Sequence, residues 1–578
     1  MIQYYNQFFE KGQQVINFNF YNLGLSADDP VYTLINILED FDFSSLLARY
    51  SNKGRKGYNP IMLFAVLLYA NMRGIRAVDR IVELCERDIA FIWLTKGEKP
   101  QRDTFYAFLN EKLTKEILED LHYQFIRILE KKGLVTLKTL FIDGTKIEAN
   151  ANRYTFVWRG TVNYHLAGLL DTVDRLYLRY NQFLESQNYH KAYNLPLETM
   201  FVVEGIDKVK DIIAKNRKRK SLNLEKLSNN SIIEIGNICP LKLIELQANL
   251  SRIADAEKII FVHGKRNKKS ELQKLYEAIE EASTRLLKYK EHFKLMGTDR
   301  NSYSKTDIEA TFMRMKDDHM QNGQLKPAYN VQIAVENYFI IHTYISNDRT
   351  DYNTLIPVLE KHKKYLKKFP QEVTADSGYS SEANLVYLKN NNIDSYIKLQ
   401  MHEKMKTRAY KNDPGKFYNM EKIITENGVH FICKDGRKLQ YERSEYRNHN
   451  GYRSNFEVYA CKDCSGCEFK PHCLYKYNEE KDIHKNKVMK INLLWETLKT
   501  ESNNNVQSEK GILYRRIRSI QTEGHFGDIK ENDNFRRFNH RTSEKVHKEF
   551  FLYAIGRNLN KYYRFSKEII KTYEAKTA

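Results

Sequence analysis

Three acidic residues lie in sequence contexts that suit metal-dependent phosphodiester chemistry. Asp143 follows the apolar run 140–142 and is followed by Gly144, and Asp376 follows a second short apolar stretch. Glu523 lies in a segment that is rich in arginine. Phosphodiester cleavage with two divalent ions needs several converging carboxylates, and Mg²⁺ prefers hard oxygen ligands. We therefore predict that Asp143, Asp376 and Glu523 are catalytic and bind Mg²⁺ (or Mn²⁺).

Two other acids compete with Asp376 for the second position. Asp348 and Asp351 lie near a predicted hairpin, but neither follows an apolar strand into a glycine-containing turn. An Asp before Gly is commonly only a turn residue, so each assignment taken alone is weak. The order of the three acids along the chain and the cations around Glu523 support the three assignments together more strongly than any one of them alone.

Cationic residues flank Glu523. Residues 510–541 contain eight Lys or Arg against four Asp or Glu. Because seven residues of an uninterrupted α-helix span almost two full turns, Arg516, Glu523 and Lys530 are expected to share one face. The alternative is a solvated basic helix with ordinary ion pairs. The candidate DNA-contacting cations are Arg516, Arg518, Lys530, Arg537 and Arg541.

Five of the seven cysteines crowd into one stretch: Cys433, Cys461, Cys464, Cys467 and Cys473. In a reducing cytoplasm such clustering indicates metal binding rather than disulfides. Four thiolates suit a tetrahedral, structural zinc site. An iron–sulfur cluster is a rival, although its bacterial motif ends with three residues and Cys-Pro, whereas five residues precede Cys473 here and Leu474 follows it. Reduced, unliganded thiols are the third reading.

The elements that must position these residues follow from the apolar pattern. Residues 28–135 have helical spacing, with helix starts at Pro30 and Pro60. Short helices joined by glycine turns are compatible with a helix-turn-helix DNA reader or with a plain helical bundle. Residues 328–346 alternate in hydrophobicity as a hairpin does, and 373–376 resembles a short strand ending in an acid. Strands mixed with helices after a helical front predict an α/β catalytic core with a separate α-helical domain.

Composition points to a nucleic-acid partner. The chain of 578 residues carries a formal net charge of +20, which favours a polyanion. No apolar run approaches the ~20 residues that a spanning helix needs. Residues 1–11 lack the pattern of a signal peptide. We therefore expect a cytoplasmic protein whose partner is double-stranded DNA, with no membrane association.

Several short motifs together resemble the DDE transposases of bacterial insertion sequences, of the insertion sequence 1182 type. The resemblance covers residues 28–563. The usual Tyr-x2-Arg-x3-Glu-x6-Lys signature is altered, because three residues separate Tyr514 from Arg518 and four separate Arg518 from Glu523. The motifs are Asp143-Gly144-Thr145, the stretch 376–379, Glu523 with Lys530, Asp307-x-Glu-Ala, Lys326-Pro-Ala-Tyr-Asn-Val-Gln332 and Arg537-Phe-x-x-Arg541.

The resemblance implies an RNase H-like catalytic core with helical and cysteine-rich insertions, recognition of terminal inverted repeats, and a homo-oligomer on DNA. It favours Cys433, Cys464, Cys467 and Cys473 as the zinc ligands and leaves Cys461 spare. The expected domains are a helical DNA-binding domain (1–135), the first part of the core (136–160), a helical insertion (161–300), the second part of the core (301–420), a cysteine-rich insertion (421–508) and a C-terminal helical part that carries the catalytic Glu (509–578).

The expected function is that of a transposase, which catalyses metal-dependent DNA cleavage and strand transfer at the ends of an insertion sequence. Two alternatives remain open. One is an RNase H-like nuclease without strand transfer, and the other is a catalytically inactive DNA-binding protein derived from a transposase.

Overall fold

A computed structural model describes residues 25–51, 57–197, 240–264, 267–297, 300–315, 323, 325–426, 428–449 and 452–577. The chain forms two compact units, of which unit 1 comprises Met1–Glu148 and Tyr329–Ala578 and unit 2 comprises Ala149–Ala328. The strands are β1 Thr139–Glu148, β2 Phe156–Trp158, β3 Ser302–Ser304, β4 Thr311–Arg314, β5 Leu325–Glu336, β6 Phe339–Ser346, β7 Glu372–Ala375, β8 Asp394–Ile397, β9 Glu421–Thr425, β10 Gly428–Ile432, β11 Lys438–His449, β12 Tyr452–Cys461 and β13 Val488–Ile491.

Unit 1 begins with a helical front. Both predicted proline starts are confirmed, because the side chains of Asp29 and Asn59 cap the helices that begin at Pro30 and Pro60. Every residue of Pro60–Met72 is buried, so this helix is core and presents no face to DNA. The helices of the front are Pro30–Leu38, Ser44–Leu47, Pro60–Met72, Val78–Arg87, Ile89–Thr95, Arg102–Ala107, the π-helical turn Phe108–Lys112 and Lys115–Lys131.

A mixed sheet occupies the centre of unit 1, in the order β6-β5-β1-β7-β8. If β1, β5, β6, β7 and β8 are renumbered 1 to 5 in chain order, their order in the sheet is 3-2-1-4-5. β1 pairs in parallel with β7, and β7 pairs in parallel with β8. One hydrophobic core contains Phe125 of the helical front together with Ile142 and Val373 of the sheet, so the front has no core of its own. The predicted mixed α/β class is confirmed.

The predicted hairpin is present as β5 and β6, which pair in antiparallel fashion. Its turn lies at Asn337 and Tyr338, which have φ values of 48° and 64°. The turn therefore lies within the predicted range 328–346. The remaining helices before the cysteine-rich region are Leu355–Leu366, the 3-10 turn Ser377–Tyr379, Glu382–Asn390, His402–Met405, Arg408–Lys411 and the 3-10 turn Phe417–Asn419.

The cysteine-rich region contains a five-stranded antiparallel sheet that the sequence did not predict. Its order is β13-β12-β11-β10-β9, and it packs a small core that includes Phe431, Leu439 and Tyr459. The helices from this region to the end of the described chain are Lys470–Cys473, Glu479–Asp482, Leu493–Gln507, Glu509–Arg518, the π turn Ser519–Glu523, Gly524–Gly527, the π turn Asp528–Asn532 and Ser543–Thr577.

Unit 2 is mainly helical, with its own core around Leu166, Leu246 and Leu275. β2 pairs with β3, and β4 pairs with residues 325–328 at the start of β5. Its helices are Arg159–Ser186, Tyr189–Ala192, Pro240–Ala256 and Glu271–Met296. The basic stretch 208–220, which the sequence assigned to helix, lies outside the described residues. None of the described helices combines the length and the apolar character that a membrane crossing requires.

Candidate active site

The parallel pairing of two central strands brings the first two candidate acids together. Ile142 of β1 is the register partner of Ala375 of β7, so Asp143 and Asp376 are the next residues on adjacent strands. Adjacent strands lie about 4.8 Å apart. β7 ends just before Asp376, as predicted. Asp143 does not end its strand, because β1 continues to Glu148.

The two aspartates differ in their surroundings. Asp143 is 7% exposed, and its Oδ1 accepts a hydrogen bond from the Gly144 N–H at 2.8 Å. Asp376 is exposed, and its Oδ1 accepts from the Ser377 N–H at 2.7 Å. One carboxylate therefore lies in the floor of the site, whereas the other faces solvent at its mouth.

Arg518 connects Asp143 to the third candidate acid. Its Nη1 donates to Asp143 Oδ2 at 2.7 Å, and its Nη2 lies 3.7 Å from Glu523 Oε1. Thr522 Oγ1 also lies 3.3 Å from Asp143 Oδ2. Residues that are far apart in the sequence thus meet at one place, with a guanidinium between two carboxylates.

A π turn allows Arg518 and Glu523 to face the same side. Five residues of an α-helix turn about 500°, which would point the two side chains in different directions. The intervening segment Ser519–Glu523 is π-helical, and its i to i+5 bonding brings such residues into line. The extra residue between Arg and Glu that departs from the usual signature is therefore absorbed by the π turn.

The expected single face of Arg516, Glu523 and Lys530 is wrong. It assumed an uninterrupted α-helix, but π turns at 519–523 and 528–532 interrupt the helical register. Arg516 and Glu523 are exposed, whereas Lys530 is only 7% exposed. Glu523 and Lys530 consequently do not share one solvent-facing stripe.

A polar network supports the floor of the site behind Asp143. The Tyr379 hydroxyl donates to Gln332 Oε1, and Gln332 Nε2 donates to Asp351 Oδ1 at 2.9 Å. A Cβ at Gly144 would lie 2.3 Å from Gln332 Nε2, so a larger residue would have to displace the end of the Gln332 side chain. Glycine at this position therefore leaves the network undisturbed.

Asp351 is a fourth carboxylate in this neighbourhood. Asn330 Nδ2 donates to its Oδ1 at 2.8 Å, and its Oδ2 would lie 3.1 Å from a Cβ on Gly378. Burial, followed by the negative charges of Asp351, Asp143 and Asp376, raises the pKa of Tyr379 well above its ordinary value. The sequence ranked Asp351 below Asp376 by strand context alone. The polar residues Asn330 and Gln332 on β5 were the available signal for it.

Tyr514 packs the arginine-rich helix Glu509–Arg518 against the sheet. Its hydroxyl donates to Glu372 Oε2 at 2.5 Å, and its ring meets Phe141 edge-on with centroids 5.7 Å apart. Tyr514 and Arg518 are four residues apart on an α-helix and so point to the same side. Tyr514 is a positioning residue, since it holds the helix from which Arg518 reaches Asp143.

The remaining candidate cations lie at different depths. Arg537 and Arg541 are exposed, while Arg518 is engaged by the carboxylates. The segment that contains Arg537 is attached to the end of β1, because the Glu148 N–H donates to the Arg536 carbonyl and the Phe538 N–H donates to the Glu148 carbonyl. Of the five cations, Arg516, Arg537 and Arg541 are the exposed ones.

Comparison with known protein families gives two matches to transposase domains. Residues 432–563, which contain Glu523, match the model of a transposase DDE domain, and residues 20–111 match that of the transposase domain DUF772. The two matches support a DDE transposase family. No curated protein and no solved structure matches the chain. The matched range of the DDE domain also spans the cysteine cluster and the helix Glu509–Arg518.

Transposases of the DDE family generally use a divalent metal. By chemical type, Asp143, Asp376, Asp351 and Glu523 offer the hard carboxylate oxygens that such an ion prefers. Across the residues that the structure describes, no group of three or more His, Cys, Asp or Glu is already arranged around a common metal position. The Arg518 guanidinium instead lies between Asp143 and Glu523.

The cysteines lie in one neighbourhood of unit 1. The pKa of the Cys473 thiol is raised by burial first, while the negative charges of Cys464, Cys433 and Cys467 also act on it. The Cys461 thiol donates to the Asp463 carbonyl at 3.1 Å. The described thiols are thus close enough to interact, but they too form no ready-made group of metal ligands.

Proposed function

We propose that this protein is a transposase that binds the terminal inverted repeats of an insertion sequence and catalyses metal-dependent DNA cleavage and strand transfer. Two observations support the proposal: the β1–β7 register sets Asp143 beside Asp376, and Arg518 links Asp143 to Glu523. The central strand order 3-2-1-4-5 supports an RNase H-like core as the scaffold. The family matches support the same reading.

The proposed chemistry assigns a task to each acid. Asp143, Asp376 and Glu523 would hold Mg²⁺ or Mn²⁺, which when bound supplies Lewis-acid activation of the attacking oxygen and stabilisation of the leaving one. Gly144 and the Gln332–Tyr379 pair hold Asp143 in a fixed position beside the scissile bond. Water attacks first and frees a 3′-hydroxyl, which then attacks target DNA, so no protein residue becomes covalently attached.

Arg518 has two states in this proposal. Without metal it neutralises Asp143 and part of the Glu523 charge, which limits repulsion among the acids. With a metal ion on the carboxylates, the Arg518 guanidinium would be free to contact a phosphate of the DNA backbone. Exposed Arg516, Arg537 and Arg541 would contact phosphates further along the duplex.

The remaining expectations follow from the same proposal. A homo-oligomer would hold two transposon ends and a double-stranded target DNA together. The reaction would take place in the cytoplasm. We further propose that Cys433, Cys464, Cys467 and Cys473 bind a structural zinc ion that fixes the five-stranded sheet, with Cys461 outside the ligand set.

The test uses the DNA that flanks this reading frame as substrate. Purified full-length protein, Mg²⁺ and a labelled end fragment should give both cut ends and products joined to a target plasmid. Asp143→Asn, Asp376→Asn and Glu523→Gln should lose both products while retaining DNA binding. Asp348→Asn and Glu531→Gln, which remove acids outside the site, should remain active.

Two outcomes separate the alternatives. Cut ends without joined products would favour a nuclease without strand transfer. Binding of the end fragment without cleavage by the wild-type protein would favour an inactive DNA-binding protein derived from a transposase. Terminal inverted repeats in the flanking DNA would support the transposase proposal independently of any assay.

A further inference from the structure

A cationic cavity lies beside the segment that carries Glu523. It has a volume of about 180 Å³, and Ile520, Gln521 and Gly524 form part of its wall. Glu523 itself does not line it, so the cavity is distinct from the carboxylate site. The residues that give it its chemical character are Tyr338, His525, Asp528, Arg557, Lys561 and Arg564.

Three cations reach the cavity from one face of the helix Ser543–Thr577. Arg557, Lys561 and Arg564 are spaced four and three residues apart, which aligns them on an α-helix. Asp528 pairs with Arg557 and is the acid among the lining residues. The lining residues therefore carry a formal excess of two positive charges.

Of these three cations, only Arg557 has a carboxylate partner among the described residues. Among the described residues, no carboxylate forms an ion pair with Lys561 or Arg564, and Lys561 Nζ lies 4.4 Å from the centre of the Tyr338 ring. Burial and the charge of Arg564 together lower the pKa of Arg557 to about 10. Burial, Arg564 and Arg557 lower the pKa of Lys561, while the negative charge of Glu568 raises it. Converged like charges of this kind are relieved by an anion.

His525 adds a neutral polar group to the wall of the cavity. The side chain is 6% exposed, and its Nε2 donates to the Tyr338 carbonyl oxygen at 2.9 Å. Its Nδ1 is therefore a hydrogen-bond acceptor, and within the described part of the chain it is buried without a partner. Burial lowers the pKa of His525 to about 4, so the positive charge of the cavity comes from Arg557, Lys561 and Arg564.

We propose that this cavity binds one backbone phosphate of the DNA that is held at the active site. Arginine and lysine are the usual partners of DNA phosphates, and such contacts fix the register of a duplex without reading its sequence. The inference rests on the proposed function. Residues of the segment 519–524 line the cavity, and the same segment carries the proposed catalytic Glu523. A phosphate held in this cavity, in addition to the scissile phosphate at the acids, would orient the DNA strand for attack.

The experiment measures the salt dependence of DNA binding in the absence of cleavage. Fluorescence anisotropy of a labelled end duplex is recorded in EDTA over a series of KCl concentrations. Lys561→Gln and Arg564→Gln should each weaken binding equally for end and unrelated duplexes, and each should reduce the slope of log K against log[salt] by roughly one. Arg127→Gln, which removes an exposed charge outside the cavity, should leave the slope nearly unchanged.

A second arm separates DNA phosphate from free phosphate. Inorganic phosphate alone should raise the melting temperature of the wild-type protein little, and it should compete weakly with DNA. Phosphate could instead stabilise the wild-type protein strongly and neither variant, while the variants keep the wild-type salt slope for DNA binding. That result would identify a free-phosphate site and overturn the proposal. Circular dichroism confirms folding, and the two variants provide independent routes if one of them fails to fold.

The outcome also distinguishes this inference from the proposed function. Wild-type protein that cuts and joins DNA, with wild-type slopes in both variants, would overturn the cavity and leave the transposase proposal standing. If the wild-type protein neither cuts nor joins DNA but both variants show reduced slopes, the phosphate site stands and the catalytic proposal fails.

Discussion

Arg518 Nη1 donates to the buried carboxylate of Asp143 across 2.7 Å, and this ion pair determines how the candidate site behaves without metal. The two side chains are 14% and 10% exposed, so the pair is largely shielded from water. Removing one partner of such a pair leaves an uncompensated charge and costs about 3–5 kcal/mol. A divalent ion that binds Asp143 must compete with this guanidinium.

Arg518→Gln should therefore lower the melting temperature of the metal-free protein and enlarge the increase that Mg²⁺ produces. The acids lose their internal cation, so an added metal ion relieves more repulsion than in the wild type. Differential scanning fluorimetry with and without Mg²⁺ measures both effects. Arg516→Gln, an exposed change on the same helix, serves as the control. An Mg²⁺-dependent shift equal to that of the wild type would show that Arg518 does not compete with metal.

Gly144→Ala should destabilise the protein by about 1–3 kcal/mol and abolish cleavage. The added Cβ would lie 2.3 Å from Gln332 Nε2 and must displace the side chain that links Tyr379 to Asp351. Urea unfolding and the end-cleavage assay report the two losses. Gly168→Ala is the control, since nothing lies within 4 Å of its added Cβ in a helix and alanine there should stabilise by about 0.5–1 kcal/mol. Wild-type cleavage by Gly144→Ala would rule out the proposed support of Asp143.

Mild acid should destabilise unit 1 through its buried histidines. Burial lowers the pKa of His122, His362 and His547 to about 4, from an ordinary value near 6.5. Between these values the unfolded chain binds more protons than the folded one, so stability is full above pH 6.5 and falls as the pH drops toward 4. Each histidine contributes a slope of about 1.4 kcal/mol per pH unit within that window.

Urea unfolding across this pH range measures that slope. His122→Gln keeps a donor for the Ile341 carbonyl and should flatten the pH dependence, whereas the exposed change His484→Gln should not. Equal pH dependence in the His122→Gln variant and the wild type would mean that this histidine is not the acid-sensitive group.

Zinc analysis tests the proposed role of the cysteine cluster. Protein purified without chelators should contain about one zinc ion per chain, in line with a four-thiolate structural site. Cys464→Ser and Cys473→Ser should lose it, while Cys461→Ser should retain it. Elemental analysis gives the content, and the buried, isolated Cys85 provides the control in Cys85→Ser. Metal-free wild-type protein with normal stability would mean that the thiols are unliganded.

The local elements were predictable because short-range chemistry determines them. Pro30 and Pro60 predicted two helix starts, which the side chains of Asp29 and Asn59 cap, and the alternation along 328–346 predicted a hairpin. Apolar runs before Asp143 and Asp376 predicted strands. Their parallel pairing is a tertiary choice, made by the packing of the whole sheet rather than by either segment.

Longer-range features escaped the sequence for identifiable reasons. The π turn at 519–523 has no compositional mark, so the helix was taken as regular and Lys530 was placed on the wrong face. β11 is mostly exposed and polar, which hides its strand signal in the cysteine-rich region. Asp351 was ranked low because its importance lies in partners on β5 and not in its own neighbours in the chain.

The most direct test of the central claim is an anomalous diffraction map of crystals of the full chain with its end DNA, grown with Mn²⁺. The account predicts a peak whose ligand oxygens, at roughly 2.0–2.2 Å, belong to Asp143 and Asp376, with Glu523 at the same ion or at a second ion about 3.5–4 Å away. Manganese bound elsewhere, with Arg518 still paired to Asp143 beside the DNA, would contradict it.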